Sequence, residues 1–319
     1  MKRSPVLLVL LAAASGCSAP ASRAVLAPPA PRAPQFIRVG VVDAGRRAIR
    51  KVNLEAYVRA TIISEFAPGS GDLDVVERML EVQAVVGRTY ALAHLRRHGN
   101  EGFDLCATTH CQLYEPARLR TSRWAAAAAE AAQQTSGRVL WFDGGAASAL
   151  FHADCGGHTS NSNDVWGGPG RPYLVGIADD GPAESAHAAW RFEATRDAVM
   201  RALNADSRTR VGARLDGIKI LDRDAAGRAQ RVALHGQQER IVRGDLLREV
   251  LARALGARTV RSTRFDVRRE GGTFVFDGRG FGHGVGLCQA GALARIRAGA
   301  PLPAILQRYF PGTKLITLG

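Results

Sequence analysis

Along residues 53–66, NLEAYVRATIISEF, apolar side chains at Leu54, Val58 and Ile62 recur every fourth position, which predicts an amphipathic helix. At about 100° per residue, Glu65 falls within roughly 20° of Leu54 and Val58 on that wheel. The stripe therefore carries a carboxyl group into a packed surface. Pro68 and Gly69 follow and stop the helix. Burial and the negative end of the helix dipole both disfavour a carboxylate at that place, which raises its pKa toward that of a general acid. The competing reading is a Glu65 that frays into water with the last turn.

The rest of the pattern predicts an α+β fold of mixed helices and antiparallel sheets. Residues 35–42, QFIRVGVV, alternate as a strand. A second helix is expected from about 74 to 98, with Val76, Leu80, Gln83, Gly87 and Tyr90 along one face. Gln83 and Tyr90 are then polar groups on a buried stripe, with Arg88 beside them. Residues 121–137 form a third helix, started by Thr121 or Ser122 and stopped by Gly137. RVLWF, DGG and AASALFHAD read as a β-hairpin turning at Asp143-Gly144, which delivers the loop CGGHTSNSNDVWG at 155–167. An accessory lobe at about 190–265 reads as a helix, strands around LDGIKILDRD and AQRVALHG, then the helix DLLREVLARALG. TFVFDGRG is a strand leading through a Gly-rich loop to helices at 289–296 and 303–309.

The opening residues 1–17, MKRSPVLLVLLAAASGC, combine a basic start, an apolar run at 6–14 and small residues before Cys17. That is a secretory signal, too short to span a membrane as a helix. Ala14-Ser15-Gly16-Cys17 resembles a lipobox, which makes Cys17 a candidate lipid anchor, with plain secretion as the alternative. The Pro- and Ala-rich residues 18–34 form a tether, and residues 35–319 the folded part. The expected location is the cell envelope or periplasm.

Net charge is +14, and only four of the 43 basic residues are lysines. An exported chain rarely meets nucleic acid, so none is expected as a partner. Attraction to an anionic envelope surface is one reading of the charge, and a coding bias toward Arg and Ala is the other.

Cys106, Cys111, Cys155 and Cys288 remain after the signal. Cys106-Ala-Thr-Thr-His110-Cys111 clusters thiol and imidazole donors in one loop, which favours tetrahedral zinc over a disulfide or free thiols. His98 and His94 are candidates for the fourth ligand. The element GRGFGHGVGLCQAGA at 278–292 lacks both the dinucleotide-binding glycine spacing and a P-loop lysine. Its glycines instead allow close backbone approach, with His283 and Gln289 as polar contacts for a sugar, or with His283 buried in a tight crossing.

Together VNLEAYVRATIISEFAP, LEVQAVVGRTYALAH, CATTHCQLY, FHADCGGHTSNSNDVWG, PYL, RSTRF and GRGFGHGVGLCQAGA resemble the SpoIID/LytB family of bacterial cell-wall proteins, over residues 37–315. The resemblance implies that Glu65 is the catalytic acid/base, and it matches the family's Q-A-V-x-x-R-T-Y element to Gln83, Arg88 and Tyr90. It implies structural zinc at Cys106, His110 and Cys111 and no cofactor needed for catalysis; the fourth ligand is not fixed by the family pattern, and His98 is taken as the candidate. Many relatives have G-x-S-Q where this chain has Cys288 before Gln289, which leaves a Cys155–Cys288 pairing open. The implied activity is lytic transglycosylation of peptidoglycan glycan strands: one carboxyl group protonates the MurNAc–GlcNAc oxygen, then takes the proton of the muramic acid 6-hydroxyl as a 1,6-anhydro ring closes. Gln83, Arg88, Tyr90, His158, His283 and Gln289 are the expected sugar-binding residues. Two other classes stand beside it: a non-catalytic wall-binding module that stimulates an amidase partner, and a zinc hydrolase built on His152, His158 or His283. No H-E-x-x-H pair supports the latter.

Overall fold

Asn53 ends one element and starts another, and the core is built outward from that junction. The computed structural model describes residues 31–43, 45–66, 71–181 and 185–319; the expected signal and Cys17, most of the tether, and Pro68 and Gly69 lie outside them. Strand β1 (Phe36–Asp43) pairs antiparallel with β2 (Arg46–Asn53). The Asn53 side chain then accepts the backbone N–H groups of Glu55 and Ala56 at 3.0 and 3.1 Å, capping α1 (Leu54–Glu65). The long helix α2 (Leu73–Ala93) follows, then β3 (Leu105–Cys106) parallel to β1, α3 (Arg118–Thr121), α4 (Ala125–Gln134), and the antiparallel pair β4 (Arg138–Phe142) and β5 (Gly145–Ala146).

Helix α2 is buried on both sides, which makes it the centre of the molecule. One face, with Val76, Leu80, Ala84 and Ala91, packs on Leu54, Val58 and Ile62 of α1 and on Ala128 and Ala131 of α4. The other face, with Met79, Val82, Val85 and Val86, packs on Leu140, Leu287, Ile305 and Phe310. A helix apolar all round is an interior helix. Each such side chain taken from water contributes about 1.5–3 kcal/mol.

Arg88 lies inside this helix with 0% of its surface exposed. Its Nε and Nη2 donate to the Glu55 carboxylate at 2.8 and 2.5 Å, and further N–H groups reach Ala132 O and Arg138 O at 3.2 Å each. One guanidinium thus ties α1, α2, α4 and β4 together. The expectation that Arg88 contacts sugar is corrected here: the fork is spent on internal oxygens, and no part of it reaches a groove.

Three element boundaries differ from the pattern. Helix α2 stops at Ala93, and Arg96 turns through a left-handed backbone (φ 63°) with no Gly or Pro to announce it. The third predicted helix is shorter than expected: α4 starts at Ala125 after Trp124 and ends at Gln134, while Thr121 and Ser122 close the separate α3, the Ser122 hydroxyl accepting the Trp124 N–H at 3.2 Å. In the predicted hairpin, Asp143 and Gly144 both take positive φ (47° and 80°), as a two-residue turn requires, but the second strand has only two residues. The chain then departs into β6 (Phe151–His152). Strand β2 escaped notice because RRAIRKVN is an exposed edge strand without polar–apolar alternation.

After the short α5 (Ser162–Trp166) the chain builds the accessory lobe. It opens with a strand rather than the expected helix: β7 (Trp190–Thr195), α6 (Arg196–Asn204), β8 (Leu215–Arg223), β9 (Ala229–Gly236), β10 (Arg240–Arg243), α7 (Gly244–Leu255), β11 (Phe265–Glu270) and β12 (Thr273–Gly278). Two antiparallel sheets, in the orders β10-β9-β8 and β11-β12-β7, share a core that includes Trp190, Leu203, Leu247 and Phe276. The chain returns to the centre through β13 (Leu287–Cys288), α8 (Gln289–Arg297), α9 (Leu302–Tyr309) and β14 (Lys314–Thr317), the last pairing with β4.

Replacing Glu55 with Ala leaves the Arg88 charge buried without its carboxylate. The expected outcome is a loss of about 3 kcal/mol in chemical denaturation. An unchanged midpoint would show that the backbone carbonyls alone hold the guanidinium.

Candidate active site

Glu65 is the last residue of α1, and Phe66 caps that end through its N–H to Ile62 O at 3.0 Å. The segment that follows the cysteine loop crosses this terminus. Leu113 N–H donates to Glu65 Oε1 at 2.5 Å, Glu115 N–H to Ser64 Oγ at 3.0 Å, and the Tyr57 hydroxyl to Gln112 Oε1 at 3.1 Å. From the other side Gln289, first residue of α8, uses its amide nitrogen for Glu65 O at 3.4 Å and Gln83 Oε1 at 3.2 Å. Elements far apart in sequence thereby converge on the end of α1, where the Leu113 N–H meets the Glu65 carboxyl and Gln289 its backbone carbonyl.

Burial raises the Glu65 pKa to about 7; the Leu113 N–H opposes the shift and the charge of Glu115 adds to it. A carboxyl group so shifted can exchange a proton near neutrality, which makes it a candidate acid/base. Glu115 is itself tied to Arg118 in a surface ion pair. Tyr90 belongs to the same neighbourhood: its phenol feels the charges of Glu65, Cys106 and Cys111, burial pushes its pKa to about 12, and its ring stacks on His94 at 4.1 Å.

The other expected sugar contacts are dispersed. Gln83 has no exposed surface and sits behind Gln289, its own amide nitrogen without a protein partner. His158 turns its Nδ1 to Thr159 O at 2.6 Å and bridges to Ala178. His283 lies against Trp166 and His152, with ring centroids 5.2 and 5.4 Å away, and accepts the Val285 N–H. Burial, with Arg248 and Arg228 nearby, drives its pKa down to about 3, so it is a neutral ring. These two histidines border the 155–167 loop; their bonds and ring contacts do not run to Glu65.

His98, Cys106, His110 and Cys111 place one donor atom each within 4.8 Å of one another. His98 Nε2 lies 3.4 Å from Cys111 Sγ, and His110 Nδ1 lies 3.6 Å from both sulfurs. A zinc tetrahedron with Zn–S of about 2.3 Å and Zn–N of about 2.1 Å has S···N edges of about 3.6 Å, so the four residues fit that ion. The Glu101 carboxylate faces His98 Nδ1 at 2.6 Å and leaves Nε2 free to act as ligand. His94 is excluded from the set, since its two nitrogens face Tyr90 O and the Ser148 hydroxyl at 2.8 and 3.2 Å.

Leu113, Gln112, Tyr57 and Glu101 were not among the expected site residues. Glu101 had a visible signal, three positions after His98. Leu113 acts through a backbone N–H, which no side-chain pattern reveals.

Residues 43–142, which carry Glu65, the Arg88 helix and the whole His/Cys cluster, match the family described as Stage II sporulation protein (SpoIID). Residues 182–286, the accessory lobe, match a Domain of unknown function (DUF8618). The chain is 26% identical over 274 residues to an uncharacterised protein of Brachyspira hyodysenteriae, covering 84% of this chain and 68% of that one. It is 26% identical over 302 residues to the amidase enhancer of Bacillus subtilis, covering 80% of this chain but only 39% of the relative. Stage II sporulation protein D of Bacillus subtilis is 23% identical over 294 residues, with 88% and 79% covered. No helix among the described residues is long and apolar enough to cross a membrane. The SpoIID match over residues 43–142, which carry the Glu65 carboxyl, together with relatives named for sporulation stage II and for amidase enhancement, supports assigning this chain to the SpoIID/LytB family.

Proposed function

We propose that this protein is a peptidoglycan lytic transglycosylase in which Glu65 acts first as acid and then as base. The family assignment supports a cell-wall-related role and a place in the cell envelope. The observation that carries the finer reading is the Glu65 carboxyl, its pKa raised by burial to about 7, at the end of a helix where three chain segments meet. A hydrolase needs a second carboxylate to activate water or attack the sugar. Glu115, the neighbour whose charge reaches Glu65, is engaged by Arg118 at the surface. Intramolecular attack by the muramic acid 6-hydroxyl needs no such partner. Protonated Glu65 gives its hydrogen to the glycosidic oxygen as the bond to MurNAc breaks, and the carboxylate then removes the hydroxyl proton as the anhydro ring closes. Leu113 N–H stabilises the carboxylate between the two steps, and Gln289 fixes the backbone of Glu65 against Gln83.

We assign His98, Cys106, His110 and Cys111 to a structural zinc ion. Filled by four protein ligands, it leaves no position for reactive water. Its contribution is mechanical: Cys111 lies two residues before Leu113, so bracing the loop fixes the N–H that faces Glu65. The export signal extends this reading to anchoring at Cys17. A second reading, stimulation of an amidase partner by a wall-binding module, is favoured by the relative named amidase enhancer.

Digestion of purified glycan strands separates these readings. Wild-type protein is expected to release products ending in anhydro-MurNAc, and Glu65→Gln to lose about 10²–10⁴-fold in rate while melting cooperatively. Products with reducing ends would point to hydrolysis, and an inert wild-type chain that accelerates an amidase would point to the second reading.

The pH dependence has a definite sign. Only protonated Glu65 starts the reaction, so the rate is expected to fall about tenfold per pH unit above 7. The same raised pKa means that the folded state binds more protons than the unfolded one between about 4.5 and 7, so stability is lost as pH rises through that window. Glu65→Gln is therefore expected to be more stable than wild type above pH 7, by a margin that shrinks toward pH 4.5. A margin independent of pH would contradict the assignment.

Metal analysis of the purified chain is expected to find about one zinc per molecule, lost in Cys111→Ser along with several degrees of melting temperature. Full activity in the metal-free variant would separate the cluster from the Glu65 site.

A further inference from the structure

Two thiols that the proposed reaction does not use, Cys155 and Cys288, face each other in the core with 0% of either residue exposed. Their sulfurs lie within 4.8 Å of one another, and Cys155 N–H donates to Cys288 Sγ at 3.2 Å. The cysteines are 133 positions apart, and every strand and helix of the accessory lobe lies between them. The core is joined across the base of that insertion by a short ladder and by the backbone bonds between Asp154 and Phe281 and from Ala290 N–H to Ala153 O. Strands β6 and β13 pair in parallel over only two residues each, Phe151 with Leu287 and His152 with Cys288.

Glycines bring the two segments into backbone contact there. A Cβ on Gly280 would stand 2.7 Å from Asp154 O, one on Gly282 would stand 2.7 Å from His152 Cβ, and one on Gly286 would overlap Leu150 O. All three have positive φ. Such an approach puts the Cys155 backbone against the Cys288 sulfur, the closeness a bridge between the two requires. Cys288 Sγ accepts a second N–H, from Gly291 at 3.4 Å, and caps α8. A disulfide sulfur has lone pairs and no hydrogen, so it fills an acceptor-only place.

We propose that Cys155 and Cys288 are joined by a disulfide in the exported protein, stapling the core across the base of the inserted lobe. Two S–H bonds break and one S–S bond forms. Two protons and two electrons pass to an exchangeable disulfide of the envelope, which is reduced to two thiols. Because both sulfurs are buried, the bond closes while the chain folds. The competing occupant of this place is a metal ion, since a ring nitrogen of His152 also lies within 4.8 Å of both sulfurs. That set has three donors. The carboxylate of Asp179, 3.7 Å from the Cys155 sulfur, is engaged by Arg295 at 2.8 Å and by the Tyr309 hydroxyl at 2.6 Å, so it keeps strong partners when the thiol hydrogen is lost. The buried Arg228 guanidinium, bonded to Cys155 O at 2.8 Å, adds a positive charge that disfavours a second cation. A neutral disulfide meets neither difficulty. It also fixes the start of α8, where Gln289 reaches Glu65 and Gln83. The inference rests on the envelope location and not on the transglycosylase reading.

The test is the full chain exported through its own leader, denatured in the presence of iodoacetamide and a chelator without reductant, then digested and weighed. Cys106 and Cys111 are expected to be alkylated, and the peptides bearing Cys155 and Cys288 to appear as one linked species that separates on reduction. Alkylation of both Cys155 and Cys288 in the unreduced sample, whether they had been thiols or metal ligands, overturns the proposal. A second measurement does not depend on digestion. Reductant is expected to lower the wild-type melting temperature by about 5–10 °C beyond its effect on a Cys155→Ala/Cys288→Ala variant. Equal shifts in the two proteins overturn it.

Discussion

A guanidinium without exposed surface survives inside a protein only where its N–H groups find oxygens, and Arg88 meets that demand by drawing four elements around itself. The Glu55 carboxylate comes from the first turn of α1, Ala132 O from the end of α4, and Arg138 O from the start of β4. Each contact fixes a distance between backbones, which apolar packing alone would leave adjustable. The spacing of α1 against α2 is set in this way at the N-terminal end of α1. The other end of α1 carries Glu65.

That geometry explains how a carboxyl group can be buried and still be chemically useful. Tyr57, Val58 and Ile62 hold α1 in the core, which leaves its last residue, Glu65, half-buried. The segment 111–115 covers it and supplies one strong N–H, enough to tolerate the charged form and too little to make that form dominant. The His/Cys cluster lies immediately upstream on the same segment. Its dimensions bear on where the Leu113 N–H can be, so the proposed metal site and the proposed proton-transfer site share one stretch of chain.

The Gly-rich element serves the same end from the opposite direction. Its glycines let it cross the segment around Cys155 at backbone distance, and the crossing delivers Gln289 to the terminus of α1. The accessory lobe, with its own apolar cluster around Trp190 and Phe276, is an excursion between the two halves of that crossing. The core therefore depends on a junction whose strands are two residues long, with the closely apposed cysteines beside it.

Much of this was legible in the residues themselves. The four-residue recurrence of Leu54, Val58 and Ile62 placed α1, and the same wheel put Glu65 on its buried side, because helical period alone decides which positions share a face. The Cys106–Cys111 loop announced itself through its donor types, and Asp143-Gly144 through its tolerance of positive φ. What meets a buried polar residue was not legible. Periodicity put Gln83 and Tyr90 on an inward stripe with Arg88 beside them, yet only packing showed Arg88 clamped by Glu55, Gln83 held by Gln289, and Tyr90 stacked on His94. The early end of α2 and the edge strand β2 were hidden for a related reason, since neither has local chemistry that marks it. Local pattern determines which atoms are removed from water, because burial follows the sequence period. Partners more than a few residues apart are chosen by tertiary structure, because most buried donors and charges are satisfied by whatever the fold brings within reach.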